Sequence, residues 1–62
     1  MLYKVKVNVN VLNVRAFPSG TSPIVGRIYK DATYTITAIE GGWGKLRTKN
    51  GWINLEFVSQ VK

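Results

Sequence analysis

The sequence contains no cysteine and no histidine, and only three of its 62 residues are acidic. Without cysteine the chain can form no disulfide, no Cys-ligated metal site and no thiol nucleophile. Without histidine it lacks the commonest general base and the commonest metal ligand. The three acids, Asp31, Glu40 and Glu56, stand far apart in segments that read as turns. These absences indicate a binding module that needs no cofactor or metal, and argue against an enzyme.

Long apolar runs are also missing. No apolar stretch reaches even ten residues, and lysines follow the first three residues at Lys4 and Lys6. A membrane span needs about 20 apolar residues, and a secretory signal needs an apolar core segment. We therefore expect no membrane partner and no signal peptide. The length predicts a single domain over residues 1–62, and a module this small would naturally be one part of a longer protein.

Basic and aromatic residues are abundant. Nine Lys and Arg give a formal net charge of +6, which favours an anionic partner or surface. Hydrophobic residues make up 45% of the chain and include two Trp, three Tyr and two Phe. A chain this short buries only about 60% of its unfolded surface, so its core must be dense in large apolar groups.

The hydrophobic pattern is that of short strands. Residues 3–11 alternate strictly, with Tyr3 and the valines up to Val11 on one side, and residues 33–39 alternate again. Period two with β-branched residues is typical of half-buried strands. The parity flips at Leu12, which predicts a β-bulge or sharp bend near residues 10–11.

Turn signals separate these strands. Residues 16–23 contain both prolines, one glycine and three hydroxyl residues, a composition that is typical of a loop. Asp31 lies in a second predicted turn. Residues 40–42 and 49–51 predict two hairpins, the second on an Asn-Gly pair. The sequence therefore predicts an all-β fold of five to six short antiparallel strands, with one single-turn helix at most. A small, strongly bent barrel is the arrangement that removes exposed edges.

The order of the motifs resembles that of bacterial SH3 (SH3b) domains. The resemblance covers roughly residues 5–61 and rests on five motifs, each weak alone but compatible in order and spacing. They are Leu12-Asn13-Val14-Arg15, Ile24-Val25-Gly26-Arg27-Ile28, Gly42-Trp43-Gly44-Lys45-Leu46, Asn50-Gly51-Trp52-Ile53 and Phe57-Val58.

The resemblance implies an SH3-like barrel and a cell-wall ligand. Similar modules hold phage endolysins, autolysins and other peptidoglycan hydrolases on the Gram-positive cell wall. The resemblance implies two partners: peptidoglycan or a wall-associated anionic polymer as ligand, and a covalently linked catalytic domain. It also implies that the module acts at the cell wall of a Gram-positive host. Asp31 departs from the family, which usually has glycine there, but aspartate tolerates a positive φ. Ligand residues known for the lysostaphin-like branch cannot be transferred, since its pattern differs.

Trp43 is the first candidate for ligand binding. Strand parity places it with Lys45 and Arg47 on a charged face, where its flat ring could stack on glycan rings or peptide stems. The alternative is that a bulge at Gly42 turns Trp43 into the core or to one end of the barrel. Trp52, which follows the Asn-Gly pair, is interpreted mainly as an aromatic that fills the barrel.

Six further residues complete the candidate set, and two of them are Lys45 and Arg47 on the charged face beside Trp43. Phe17 lies in the long loop and either overhangs a groove or anchors the loop by burial. Tyr29 could line the same groove with a hydrogen-bonding hydroxyl. Asn13 and Arg15 face away from the core, and their alternative role is internal, with Asn13 bonding backbone and Arg15 bridging the loop.

The basic residues form two stripes, Lys4-Lys6 and Lys45-Arg47-Lys49. If their strands are neighbours, the stripes would merge into a patch that attracts wall teichoic acids; alternatively, they only keep a small β protein soluble. The rival function is nucleic-acid binding by a small basic barrel. The aromatics are not clustered with the cations except around Trp43, so we expect no nucleic-acid partner. Recognition of Pro-rich peptides is disfavoured too, because residues 16–23 carry no acidic side chain.

Overall fold

A computed structural model describes residues 2–61 of the chain. These residues form seven β-strands and one 3₁₀ turn. The strands are β1 (Tyr3–Val7), β2 (Val11–Arg15), β3 (Ile24–Tyr29), β4 (Thr33–Glu40), β5 (Trp43–Leu46), β6 (Trp52–Asn54) and β7 (Val58–Val61), and the 3₁₀ turn (Leu55–Phe57) precedes β7.

The strands make one antiparallel sheet in the order β3-β2-β6-β5-β4-β1-β7. Six of them bury at least one aliphatic side chain in a single cluster. A flat sheet could not bring these side chains together, so the sheet curls around the cluster. Its members are Val5, Val7, Leu12, Val14, Ile28, Ile36, Leu46 and Ile53. The predicted all-β class is confirmed.

The sheet has seven strands where the sequence predicts five to six. One reason is the break at residues 8–10, which divides the predicted continuous run into β1 and β2. The other is β7, which pairs along β1 with Val7 opposite Val58 and Lys4 opposite Val61. Serine and glutamine occupy the two middle positions of β7, so the alternation of apolar and polar residues is too weak to predict this strand from the sequence.

The break also corrects the predicted side of Val11. The alternation assigns Val11 to the apolar side, but its side chain is half exposed, while Leu12 and Val14 are buried as expected. The parity therefore changes within residues 8–10, before Val11 rather than after it. Val11 consequently lies on the outer face of the sheet, opposite Tyr29 of β3.

The two predicted hairpins differ in geometry. Glu40 pairs with Trp43, and both glycines between them have positive φ, 54° at Gly41 and 81° at Gly42. That is the two-residue turn whose twist matches a hairpin. The Asn-Gly pair does not form such a turn, because neither residue has a positive φ. Instead β5 and β6 are joined by a five-residue loop over 47–51.

Asp31 adopts the left-handed conformation, with a φ of 72°, and is the single non-glycine residue of the described chain to do so. Its carboxylate lies 3.8 Å from the Lys6 ammonium, and both side chains are exposed. A left-handed conformation costs an L-residue roughly 1–2 kcal/mol, whereas glycine adopts it freely. An exposed ion pair contributes about 0–1 kcal/mol.

We expect Asp31→Gly to leave the free energy of unfolding unchanged or raised by up to about 1 kcal/mol, because relief of strain offsets the lost ion pair. Asp31→Val should lower it by about 1–2 kcal/mol, since a β-branched residue at this φ is strained. Urea unfolding of both variants checks this. Equal stability of the glycine and valine variants would contradict it.

Residues 2–61 contain no helix long and apolar enough to cross a membrane.

Candidate functional site

A groove of about 310 Å³ lies on the outer side of β2, β5 and β6, between the long loop and the 3₁₀ turn. Its walls combine apolar side chains with one guanidinium and two carboxamides. The lining residues are Val9, Val11, Leu12, Asn13, Arg15, Gly20, Trp43, Asn54 and Phe57. A groove with few, convergent polar groups on largely apolar walls is the usual form of a binding site.

Trp43 lines this groove because of its position in β5. Along β5 the burial alternates, with Trp43 and Lys45 half-buried and Gly44 and Leu46 buried. Gly44 faces the core, where the side chain of Leu55 leaves no space for a Cβ atom. Trp43 therefore faces outward, and the alternative that a bulge turns it into the core is wrong.

Arg15 connects the groove to the long loop. Its Nη1 donates a 2.8 Å hydrogen bond to the carbonyl oxygen of Ser22. This is the loop-bridging role that the sequence offers as an alternative for Arg15. The bond uses one of the five N–H groups of the guanidinium. Arg15 is half-buried and also lines the groove. The bond to Ser22 therefore fixes the orientation of the guanidinium, and its other N–H groups remain available to a ligand.

The loop itself is held by Ser22, the one buried polar side chain of the described chain. Its Oγ accepts a 3.3 Å bond from the Phe17 N–H, and its hydroxyl is within donating distance of two carbonyls, at 3.0 Å for Phe17 and 2.9 Å for Ser19. The loop therefore has an internal polar centre, and the groove wall containing Gly20 is fixed in place.

The two carboxamides of the groove differ in what they already bind. Asn54 caps the 3₁₀ turn, since its Oδ1 accepts a 2.9 Å bond from the Glu56 N–H. Among the side-chain hydrogen bonds of residues 2–61, this cap bond is the one that involves Asn54, and none involves Asn13. The structure thus gives Asn13 no backbone bond, and both groups can face a ligand.

Trp52 lies outside the core, contrary to the prediction that it fills the barrel. In β6 the buried residue is Ile53, and Trp52 and Asn54 are half-buried on the opposite side. Trp52 is absent from the core cluster and from the side chains packed against it. Its cross-strand partners are Arg15 on β2 and Lys45 on β5. The aliphatic side chains of the curled sheet are sufficient to fill the core.

The remaining candidates do not line the groove. Phe17 is 63% exposed, so the alternative that it anchors the loop by burial is wrong, and Tyr29 is 58% exposed at the end of β3. Lys45 shares the outer face with Trp43, while Arg47 is exposed one residue beyond β5. The structure thus brings Asn13, Arg15 and Trp43 together in the groove lining and leaves these four out of it.

The groove also contains residues that the sequence analysis missed as site residues. The alternation predicts Val11 on the core side, and Phe57 enters the sequence analysis only as part of the Phe57-Val58 motif. Asn54 is not among the sequence candidates, although an asparagine directly before a helical turn is a typical cap. Two sequence signals could have placed Val11 and Asn54 on the outer face: the change of parity before β2 and the asparagine that caps the 3₁₀ turn.

The two basic stripes are not on neighbouring strands, because β4 lies between β1 and β5. Thr35 of β4 is opposite Lys4, and its carbonyl accepts a 2.9 Å bond from the Arg47 N–H. The stripes therefore flank a strand rich in threonine and do not merge directly. Across residues 2–61 no group of three acidic side chains comes together to hold a metal ion.

Comparison with known families agrees with this geometry. The family model described as the bacterial SH3 domain matches residues 10–59, which is 50 of the 62 residues. The match begins before β2 and ends within β7, so it includes every residue of the groove except Val9. No curated protein matches the chain. The family consists of binding modules that are generally non-catalytic and commonly bind cell walls. The chain belongs to the bacterial SH3 domain family.

Proposed function

We propose that this domain is a non-catalytic module that holds a peptidoglycan hydrolase, an endolysin or autolysin, on Gram-positive peptidoglycan. The catalytic domain would be covalently linked, and the module would act at the cell wall of the host. The observation that carries the proposal is the groove in which Trp43 lies beside Arg15 and Asn13.

The chemistry of the groove supports a wall polymer as ligand. An indole ring offers a flat, weakly hydrated surface on which glycan rings or peptide stems can stack. The free carboxamide of Asn13 can both donate to and accept from peptide bonds and acetamido groups. The guanidinium of Arg15 adds a fixed donor for an anionic group.

The net charge supports a second, weaker contribution. A charge of +6 attracts the module to an anionic wall and raises its local concentration there. Because Lys4, Lys6 and Arg47 are exposed and spread over the sheet, this attraction is screened by salt. Specific recognition would then depend on the groove, and teichoic acid would be an auxiliary partner.

Sedimentation with purified Gram-positive cell walls tests the proposal. We expect the domain to pellet with the walls at about 0.15 M salt, and to lose about threefold to tenfold in affinity near 1 M, where the screening length falls from about 8 to 3 Å. Binding should persist at the higher salt because stacking and hydrogen bonds in the groove are screened less. Walls stripped of teichoic acid should retain most of the binding.

The competing function predicts a different result. Nucleic-acid binding that depends on phosphate contacts loses orders of magnitude in affinity as salt increases. If duplex or single-stranded DNA displaces the domain from walls at matched salt, the wall-binding proposal is wrong. Complete loss of binding to stripped walls would show that charge alone, and not the groove, holds the domain.

A further inference from the structure

Three side chains form a row across the outer face beside the groove. Trp52 on β6 is opposite Arg15 on β2 and also opposite Lys45 on β5. Cross-strand partners project from the same face of a sheet, and neighbouring strands are about 4.8 Å apart. The backbones of Arg15 and Lys45 are therefore about 10 Å apart, with the indole of Trp52 between them. All three side chains are half-buried.

The two cations of this row have no carboxylate partner. Within residues 2–61 the one ion pair joins Lys6 to Asp31, far along the sheet on β1 and the β3–β4 turn. The other two acids, Glu40 and Glu56, are exposed, and neither lines the groove. A half-buried cation without a counter-charge is stabilised when a ligand supplies one.

Arg15 is prepared for such a ligand. Its hydrogen bond to Ser22 holds the guanidinium in a fixed direction at the edge of the groove. Fixed donors lose little conformational entropy when a ligand binds. Lys45 approaches from the other side of Trp52, and no hydrogen bond of its side chain is present within the described chain.

We propose that Arg15, Trp52 and Lys45 form a subsite for the carboxylate of a short wall peptide whose remaining part occupies the groove. This inference rests on the proposed function, since it specifies the peptide component of the wall as the ligand. The carboxylate lies between the two cations, at the positive edge of the indole ring and not over its negative face. The peptide bonds face Asn13 and Asn54, and an apolar side chain contacts Trp43.

The charge distribution favours one carboxylate over a phosphate polymer. Arg15 is the sole charged residue among those that line the groove, and Lys45 borders one end. A polyphosphate would need cations repeated along its length. A groove with one charged end and uncharged, partly apolar walls instead suits a ligand with one anionic end group.

The test uses a wall stem tetrapeptide whose glutamate carboxyl is amidated and whose third residue is lysine, prepared once with a free C-terminal carboxylate and once as the C-terminal amide. Each is titrated against the domain by NMR, with the indole N–H signals of Trp43 and Trp52 as probes. We expect the free acid to bind about tenfold more tightly than the amide. Lys45→Gln should reduce that ratio to about threefold or less.

Lys4→Gln is the matched control, because it removes the same charge from β1, two strands away from Lys45. It should leave the ratio of acid to amide affinity unchanged. Arg15→Lys tests the guanidinium itself, and its thermal melting shows whether the loop bond to Ser22 matters for folding. A folded Arg15→Lys variant should lose part of the preference for the acid.

Equal affinities of acid and amide, or equal effects of Lys45→Gln and Lys4→Gln, would overturn the subsite. So would the failure of both peptides to bind. Wall sedimentation is a separate readout: if walls bind but acid and amide do not differ, the subsite is wrong and the proposed function stands. If the acid is preferred but walls do not bind, the proposed function is wrong and the subsite stands.

Discussion

Gly51→Ala is expected to destabilise the domain by about 3 kcal/mol and to lower its melting temperature by about 10–20 °C. A Cβ atom at residue 51 would lie 2.5 Å from Cγ1 of Val14 and 3.0 Å from the backbone oxygen of Arg15. Its φ is ordinary, so the expected loss is due to steric overlap and not to backbone strain. For a domain this small, the loss is a large part of the total stability.

The position cannot relax easily, because the backbone around Gly51 is held by two hydrogen bonds. Its carbonyl accepts a 3.0 Å bond from the Leu46 N–H, and its own N–H donates a 2.8 Å bond to Lys49. Moving residue 51 outward would break the junction between β5 and β6. Thermal and urea unfolding monitored by circular dichroism measure the effect.

Gly20→Ala is the matched control, since a Cβ atom there meets nothing within 4 Å and its φ is also ordinary. We expect its stability to stay within about 0.5 kcal/mol of the parent domain. If the Gly51→Ala and Gly20→Ala variants have the same melting temperature, close packing is not the reason why residue 51 is glycine.

Trp43→Ala is expected to weaken wall binding by about 30-fold or more while the fold stays intact. Buried aromatic anchors typically contribute 2 kcal/mol or more to an interface, and each 1.4 kcal/mol corresponds to a factor of ten. Trp43 is outside the core cluster, so its removal leaves that cluster unchanged. Binding isotherms on purified walls, with a thermal melt of the same protein, check both parts.

Phe17→Ala and Tyr29→Ala serve as comparison variants, because both rings are more exposed than that of Trp43 and neither lines the groove. Each should reduce wall affinity by about threefold or less. Three equal losses would show that exposed aromatic area in general, and not the groove, binds the wall. A collapse of the Trp43→Ala melting transition would show that Trp43 stabilises the fold.

Much of the fold could be predicted from the sequence because burial in strands follows parity. The alternation around Val5 and Ile36 correctly separates core from surface, and the glycine pair at 41–42 correctly gives a tight hairpin. The prediction of a tight hairpin turn at the Asn-Gly pair is wrong, because close packing at Gly51 requires the glycine and a positive φ does not. Local turn chemistry alone does not contain that contact.

The site was less predictable, because it depends on which strands become neighbours. Asn13, Arg15 and Trp43 could be chosen from their parity and residue type. Trp52 could not, since its position between two cations depends on β6 inserting between β2 and β5, which are distant in sequence. Register across such pairs is set by the whole curled sheet.

The pairing of β1 with β7 has a consequence for how the domain is tethered. Lys4 and Val61 are directly opposite each other, so the polypeptide enters and leaves the domain at one place. Two adjacent ends allow a domain to be inserted into a surface loop of another protein without separating the loop's anchors. Val9 and Phe57 of the groove follow β1 and precede β7, so they lie at the opposite end of this strand pair. A second domain fused before, after or around this one would therefore be attached at one place, at the end of the β1–β7 pair that is farther from Val9 and Phe57.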